Sequence, residues 1–265
     1  MIRAHWGLDA SPFERDGVEL LSHQQEIFDT LRVHCQQGGL CVVVGEPGTG
    51  KSVLKEALCT HDVKRLIAPV VNRTLHTYTN TLKLLCDSFN IDTSGRNVAC
   101  EKRLIERAKH INGQGKMLAI IIDDAHLMDI TCLRRLRLLL EDFPKNHNLI
   151  LMAQPSLLNN LSLAVHEDIK SRITYSVLIP KLTPDDIEAF ILSQLDRVSL
   201  AHKTFTSEAL GLIARSSEGT LRATRNLCIG GLMQAVRDRS RVVDLKQINR
   251  VLLQPHWRKE NDMPN

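Results

Sequence analysis

The chain predicts an α/β fold, a parallel five-stranded sheet sandwiched by helices and followed by a small all-α unit, and three stretches predict it. The first is the apolar run Leu40 to Val44, which stops at Gly45 and opens into GEPGTGKSV, residues Gly45 to Val53. The second is Met117 to Asp124, MLAIIIDD, the continuous aliphatic run of a strand buried on both faces, closed by two acids. The third is a change of pattern at Pro180, after which strand and helix alternation gives way to helices alone.

Gly45, Gly48, Gly50, Lys51 and Ser52 fall in the spacing G-x-x-x-x-G-K-S, which reads as a phosphate-binding loop. Residues without a bulky Cβ let the backbone curl until successive N–H groups point at an anion, and the helix starting near Lys51 adds the positive end of its dipole. Gly45, Glu46, Pro47, Gly48, Thr49, Gly50, Lys51, Ser52 and Val53 are therefore the candidate nucleotide-binding residues, with ATP and Mg²⁺ as the implied ligands. In this reading Lys51 reaches the β- and γ-phosphates and Ser52 ligates Mg²⁺. The acids that close the second run emerge at the carboxyl edge of the sheet, where ligands bind in such folds. Asp123 is then expected to hold the water shell of Mg²⁺ and Asp124 to polarise the attacking water.

Taken in order, Trp6 to Phe13 lead into a helix, Ser22 to Gln36, with Ser22 as its expected N-cap and Gly38 and Gly39 as its stop. Pro12, Phe13 and His23 are open between a base-binding pocket and plain packing. After the loop helix, Leu66 to Asn72 reads as a strand and Thr79 to Phe89 as an amphipathic helix, linked by RTLHTYTN, Arg73 to Asn80. Glu101 to His110 is a further helix, stopped by Asn112, Gly113 and Gly115. Thr131 to Phe143 is a helix carrying Arg134, Arg135 and Arg137, and Asn148 to Ala153 the next strand, ending at Gln154. A polar side chain at that tip sits between the γ-phosphate and Asp124, a natural place for a hydrogen-bonding sensor. Arg172 precedes a fifth strand, Tyr175 to Ile179, at the domain edge that would face a neighbouring subunit. Beyond Pro180, Thr183 opens the cap sequence TPDDIE, and helices are expected near 184–197, 206–215, 220–238 and 244–253, with a short polar tail. The expected division is 1–180 for the nucleotide-binding αβα domain and 181–265 for the helical lid.

Composition narrows the setting. Hydrophobic residues make up 43% of the 265 and charged residues 24%, an ordinary globular balance, while aromatics at 4% leave the core to aliphatic side chains. No apolar run approaches the ~20 residues of a membrane span, and the N-terminus lacks an apolar signal segment, so no membrane insertion and a cytoplasmic location are expected. The seven cysteines show no C-x-x-C pair and read as reduced, mostly buried thiols. A net charge of +4 permits a nucleic-acid partner without requiring one. Residues 211–250 hold eight basic residues against three acids, for which solvated arginines are the default reading.

The order GEPGTGKS, IIIDDAH, LILMAQPSLL, KSRI and SEGTLRATRNLC resembles the AAA+ ATPases of the ExeA type. That family joins general secretion pathway A proteins with ATPases encoded beside transposases, the TnsC/TniB-like branch. The resemblance runs nearly the whole chain and implies a P-loop NTPase fold. It makes Asp123 similar to the Walker B metal residue, Gln154 to sensor 1, Arg172 to the finger that completes a neighbour's site, and Arg222 to sensor 2. Two departures stand out: the usual Asp-Glu pair is Asp123-Asp124, whose shorter second side chain suggests slow hydrolysis, and His126 replaces a glutamine and is read as an ordinary loop residue. Because the sequence stops soon after the helical unit, the resemblance leads one to expect the transposon branch. That branch implies an ATP-dependent transposition regulator, a homo-oligomeric ring or filament on double-stranded DNA that recruits or activates a transposase. Two alternatives stand beside it: an ATPase serving envelope secretion through a separate membrane partner, and an ATP-dependent DNA-binding module with very slow hydrolysis.

Overall fold

A computed structural model describes residues 1–14, 17–72 and 77–257. Contacts divide the chain into two compact units, one of residues 18–46 and 50–179, the other of residues 1–17, 47–49 and 180–265.

The first unit is built on a sheet in which every pairing is parallel. Helix α2 (Ser22–Gln37) leads into β1 (Gly39–Val44), and α3 (Lys51–Thr60) follows the phosphate loop; a short helix α1 (Ile2–Trp6) precedes them in the other unit. Next come β2 (Leu66–Ile67), β3 (Val70–Val71), α4 (Tyr78–Ser88), α5 (Asn97–Gly113), β4 (Met117–Ile122), α6 (Ile130–Glu141) and β5 (His147–Ala153). Short helices α7 (Ser156–Leu161) and α8 (Glu167–Lys170) lead to β6 (Ile173–Leu178). The strand order is β2-β4-β5-β1-β6, with β3 also on β4. The expected strand Leu66 to Asn72 is therefore two short pieces on one sheet position, split where Pro69 has no N–H to give the ladder. Ser22 is not the cap of α2 but its first residue; the Gln24 side chain reaches back to accept the Leu21 N–H at 3.1 Å.

Why the central strands read as unbroken aliphatic runs is visible in the two cores. Leu40, Val42 and Val44, with Leu118, Ile120 and Ile122, face a core shared with Leu82, Leu85, Leu104, Leu133 and Leu136. The alternate residues Cys41, Val43, Ala119 and Ile121 face the other side, among Ile27, Phe28, Leu31, Leu54 and Leu58. Both faces of each strand are buried, so neither tolerates polar side chains. All seven cysteines are free thiols and six are buried; burial pushes the Cys35 thiol up to about 12.

The second unit is helical: α9 (Pro184–Arg197), α10 (Ser207–Ser216), α11 (Leu221–Arg237) and α12 (Leu245–Leu252). Thr183 and Asp186 close a reciprocal cap at the start of α9, the Thr183 hydroxyl accepting the Asp186 N–H at 3.2 Å and the Asp186 carboxylate accepting the Thr183 N–H at 3.0 Å. Residues 1–17, read in the sequence as the start of the nucleotide-binding domain, group with these helices instead. The cause is burial. Phe13 is 2% exposed among Ile187, Ile191 and Phe205, edge-on to the Phe205 ring, which decides its role as packing. Trp6 anchors the same segment, its indole N–H donating to the Arg241 carbonyl at 3.3 Å.

Among the described residues no helix is long and apolar enough to cross a membrane.

Candidate active site

The phosphate loop hangs on the centre of the sheet. β1 pairs with β5 so that Val44 lies opposite Ala153, and the Gly45 N–H donates to the Ala153 carbonyl at 3.1 Å. The loop leaves β1 there and turns into α3 at Gly50, whose φ of 110° lies outside the range comfortable for L side chains. Lys51 and Ser52 are the first two residues of α3, and Val53 is buried beneath them. The Lys51 ammonium folds back over the loop and donates to the carbonyls of Gly45, at 2.6 Å, and Glu46, at 3.1 Å. This tethers the cation above the backbone that a phosphate would meet.

Gln154 follows the last residue of β5, the strand between β1 and β4, so the topology alone puts it between the loop and the two acids. Asp123 follows the last residue of β4, and its N–H is fixed by the Val71 carbonyl at 3.0 Å. One carboxylate oxygen of Asp123 accepts the Asp124 N–H at 3.0 Å, and the other lies 2.6 Å from the Lys55 ammonium. Lys55 also donates to the Asn72 side-chain oxygen at 2.9 Å. Asp124 has a φ of 51°, in the left-handed region, and its side chain is 53% exposed. Non-glycine residues held in this way cluster at functional sites.

Two further residues stand beside the acids, Lys55, which the sequence reading did not single out, and His126, which it read as an ordinary loop residue. Lys55 lies one helical turn past Lys51 and therefore on the same face of α3, a spacing that could have flagged it. The His126 imidazole is nearly buried, with Nδ1 4.0 Å from an Asp124 carboxylate oxygen and without a hydrogen-bond partner among the described residues. The residue read as part of an ordinary loop thus stands beside the acid assigned to water.

Arg172 is elsewhere. It precedes β6, at the amino edge of the sheet, and six residues of parallel strand at about 3.3 Å each put roughly 20 Å between it and the edge that bears the phosphate loop. Its guanidinium is 64% exposed and lies 3.8 Å from Glu141. Arg222 belongs to the helical unit, in the first turn of α11, together with the loop tip Pro47 to Thr49. There the Arg222 N–H donates to the Gly48 carbonyl at 3.4 Å, and a Cβ on Gly48 would come within 2.8 Å of the Arg222 Cβ. Gly48, with φ of 90°, is therefore required twice, for its backbone angle and for this approach.

The arginines of α6 are already occupied. Arg134 grips Asp168 with two parallel bonds of 2.7 and 2.9 Å, which hold the Asp168 carboxyl below its usual range. Arg135 lies 4.0 Å over the ring of Tyr78, whose phenol is pushed upward by burial and by its bond to Glu101. Arg137 pairs with Glu141 at 2.5 Å. Of the expected loop Arg73 to Asn80, residues Arg73 to His76 lie outside the described residues, as does the tail from Arg258.

Residues 33–161 match the family model of the AAA domain. That match covers just under half of the chain, which is an ATP-hydrolysing enzyme on a P-loop NTPase fold. It is 27% identical over 206 residues to general secretion pathway protein A of Aeromonas hydrophila, a match that covers 75% of this chain and spans 37% of that relative. Its fold resembles the ORC2 protein of Aeropyrum pernix in its ADPNP-ADP complexes, with a TM-score of 0.71 and 13% identity over 93% of this chain and 72% of that one. It also resembles the Aeropyrum pernix ORC1 protein in complex with DNA, with a TM-score of 0.63 and 12% identity over 93% of this chain and 68% of that one. At those identities the likeness is one of fold.

Proposed function

We propose that this ATPase is a regulator of DNA transposition that assembles on double-stranded DNA in its ATP state and recruits or activates a transposase. The observation that carries the nucleotide half is the convergence of Lys51, Gln154 and the acid pair on one sheet edge while Arg172 stands at the other. In this reading the finger comes from a second copy, whose Arg172, just before the edge strand β6, completes the site. In each copy the nucleotide rests on Gly45 to Val53, Arg222 belongs to the helical lid that senses it, and Gln154 orients the γ-phosphate. Asp124 accepts the proton of the attacking water.

The donor set also suits Mg²⁺, because Asp123 already holds a cation at 2.6 Å and Ser52 brings a hydroxyl to the start of α3. When bound, the metal supplies charge neutralisation at the phosphates. The DNA half is supported by the shared fold with a DNA-complexed ORC1 and by the motif order of the transposon-associated ATPases. The identity to the Aeromonas protein supports a second reading, an ATPase working in envelope secretion with a membrane partner.

Titrating labelled duplex at several salt concentrations, with an ATP analogue, ADP or no nucleotide, separates the two. The transposition reading expects binding that is strongest with the ATP analogue and falls steeply with salt, since each phosphate contact releases counterions and a repeated subunit multiplies weak contacts. Absence of duplex binding in every nucleotide state at low salt overturns it in favour of secretion.

A further inference from the structure

Both carboxylate oxygens of Asp123 are engaged. One accepts the Asp124 N–H, and the other is 2.6 Å from the Lys55 ammonium, which the Asn72 oxygen steadies from the far side at 2.9 Å. The pair is well shielded, with the Lys55 and Asp123 side chains 20% and 15% exposed. In such surroundings a carboxylate without a counter-charge is costly, and the chain itself supplies the cation that pairs with Asp123 at the sheet edge. Two cations contest one anion there, because an ammonium and a divalent ion drawn to the same carboxylate repel each other at close range. Lysine suits this part: its charge is compact and its stem flexible, so it can swing aside without moving α3.

We propose that Lys55 is a built-in competitor for the divalent cation at Asp123 and thereby sets the Mg²⁺ concentration at which the site loads nucleotide. Without metal and nucleotide, Lys55 neutralises Asp123; loading moves the ammonium off the carboxylate. This rests on the nucleotide-site reading above.

The test follows binding of a fluorescent ATP analogue while Mg²⁺ is titrated, in the parent, Lys55→Met, Lys55→Arg and Asp123→Asn chains. Lys55→Met should reach half-maximal binding at roughly ten-fold lower Mg²⁺, the scale of one charged hydrogen bond removed from the competition. Lys55→Arg keeps the charge and should stay near the parent, and in the Asp123→Asn background Lys55→Met should change nothing. A Mg²⁺ midpoint in Lys55→Met at or above that of the parent overturns the proposal. Amine labelling of the parent, read by mass spectrometry, gives a measurement that needs no variant to fold. Lys55 should be protected without ligand and labelled with Mg²⁺ and analogue present, and equal labelling in both states overturns the proposal. A parent that binds no analogue at any Mg²⁺ concentration instead sinks the nucleotide-site reading itself.

Discussion

Lys51 curls back over its own loop, its ammonium bonded to the Gly45 and Glu46 carbonyls, whereas Asp124 stands half-exposed in a left-handed backbone angle beside His126. The two positions should separate binding from chemistry. Lys51→Ala removes the mobile cation and should weaken ATP-analogue binding by roughly a hundred-fold, the worth of two charge-assisted contacts at about 1.5 kcal/mol each. Asp124→Asn should bind the analogue as the parent does while phosphate release falls by about 10²–10⁴-fold, the usual range for a general base. Parent-like turnover in that variant would take the role from Asp124. At this scale the sequence was most informative where chemistry is local. Glycines, a lysine and a hydroxyl within one loop announce themselves by spacing. Lys55 does not, because its importance lies in what it touches, and it touches Asp123 and Asn72 only once the sheet has formed.

Among the elements, the junction between α2 and β1 shows how tightly the sheet edge opposite the loop is closed. Gly38 ends α2 with φ of 78°, and a Cβ there would stand 2.2 Å from the Lys145 carbonyl oxygen and 2.8 Å from that of His147. Backbone atoms cannot swing away as a lysine tip can. Gly38→Ala should therefore destabilise the sheet unit by about 2–4 kcal/mol, the sum of a left-handed angle for an L residue and an overpacked contact. Chemical denaturation of parent and variant measures it; a loss under about 0.5 kcal/mol, the level of an indifferent surface change, would show that the junction relaxes freely. The helix stop at Gly38 and Gly39 was plain in the sequence, as were the aliphatic strands and the Thr183 cap. The break at Pro69 was missed because the run Leu66 to Asn72 stays apolar across it, and apolarity reports burial, not the lost N–H.

At the scale of the whole molecule, Arg172 precedes the edge strand at the end of the sheet remote from the phosphate loop. If it serves a neighbour, Arg172→Ala should bind ATP analogue normally and hydrolyse ATP poorly. Mixed one to one with Asp124→Asn, itself inactive, it should regain roughly a quarter of parental phosphate release, because random pairing makes about one interface in four intact on both sides. No recovery at any ratio would mean that Arg172 does not act in trans.

The amino-acid sequence by itself determined the parallel αβα body, the phosphate loop and the acid pair, since aliphatic runs, loop glycines and terminal acids are short-range patterns whose physical cause lies within a few residues. It also marked the helical stretch after Pro180 through its caps and periodicity. Tertiary structure alone decided that residues 1–17 pack with those helices through Phe13, that the arginines of α6 are spent on Asp168, Tyr78 and Glu141, and that Lys55 holds Asp123. Each joins segments distant in the chain. Which distant charge or apolar surface a side chain meets depends on strand order and helix placement, and no local spacing encodes that meeting.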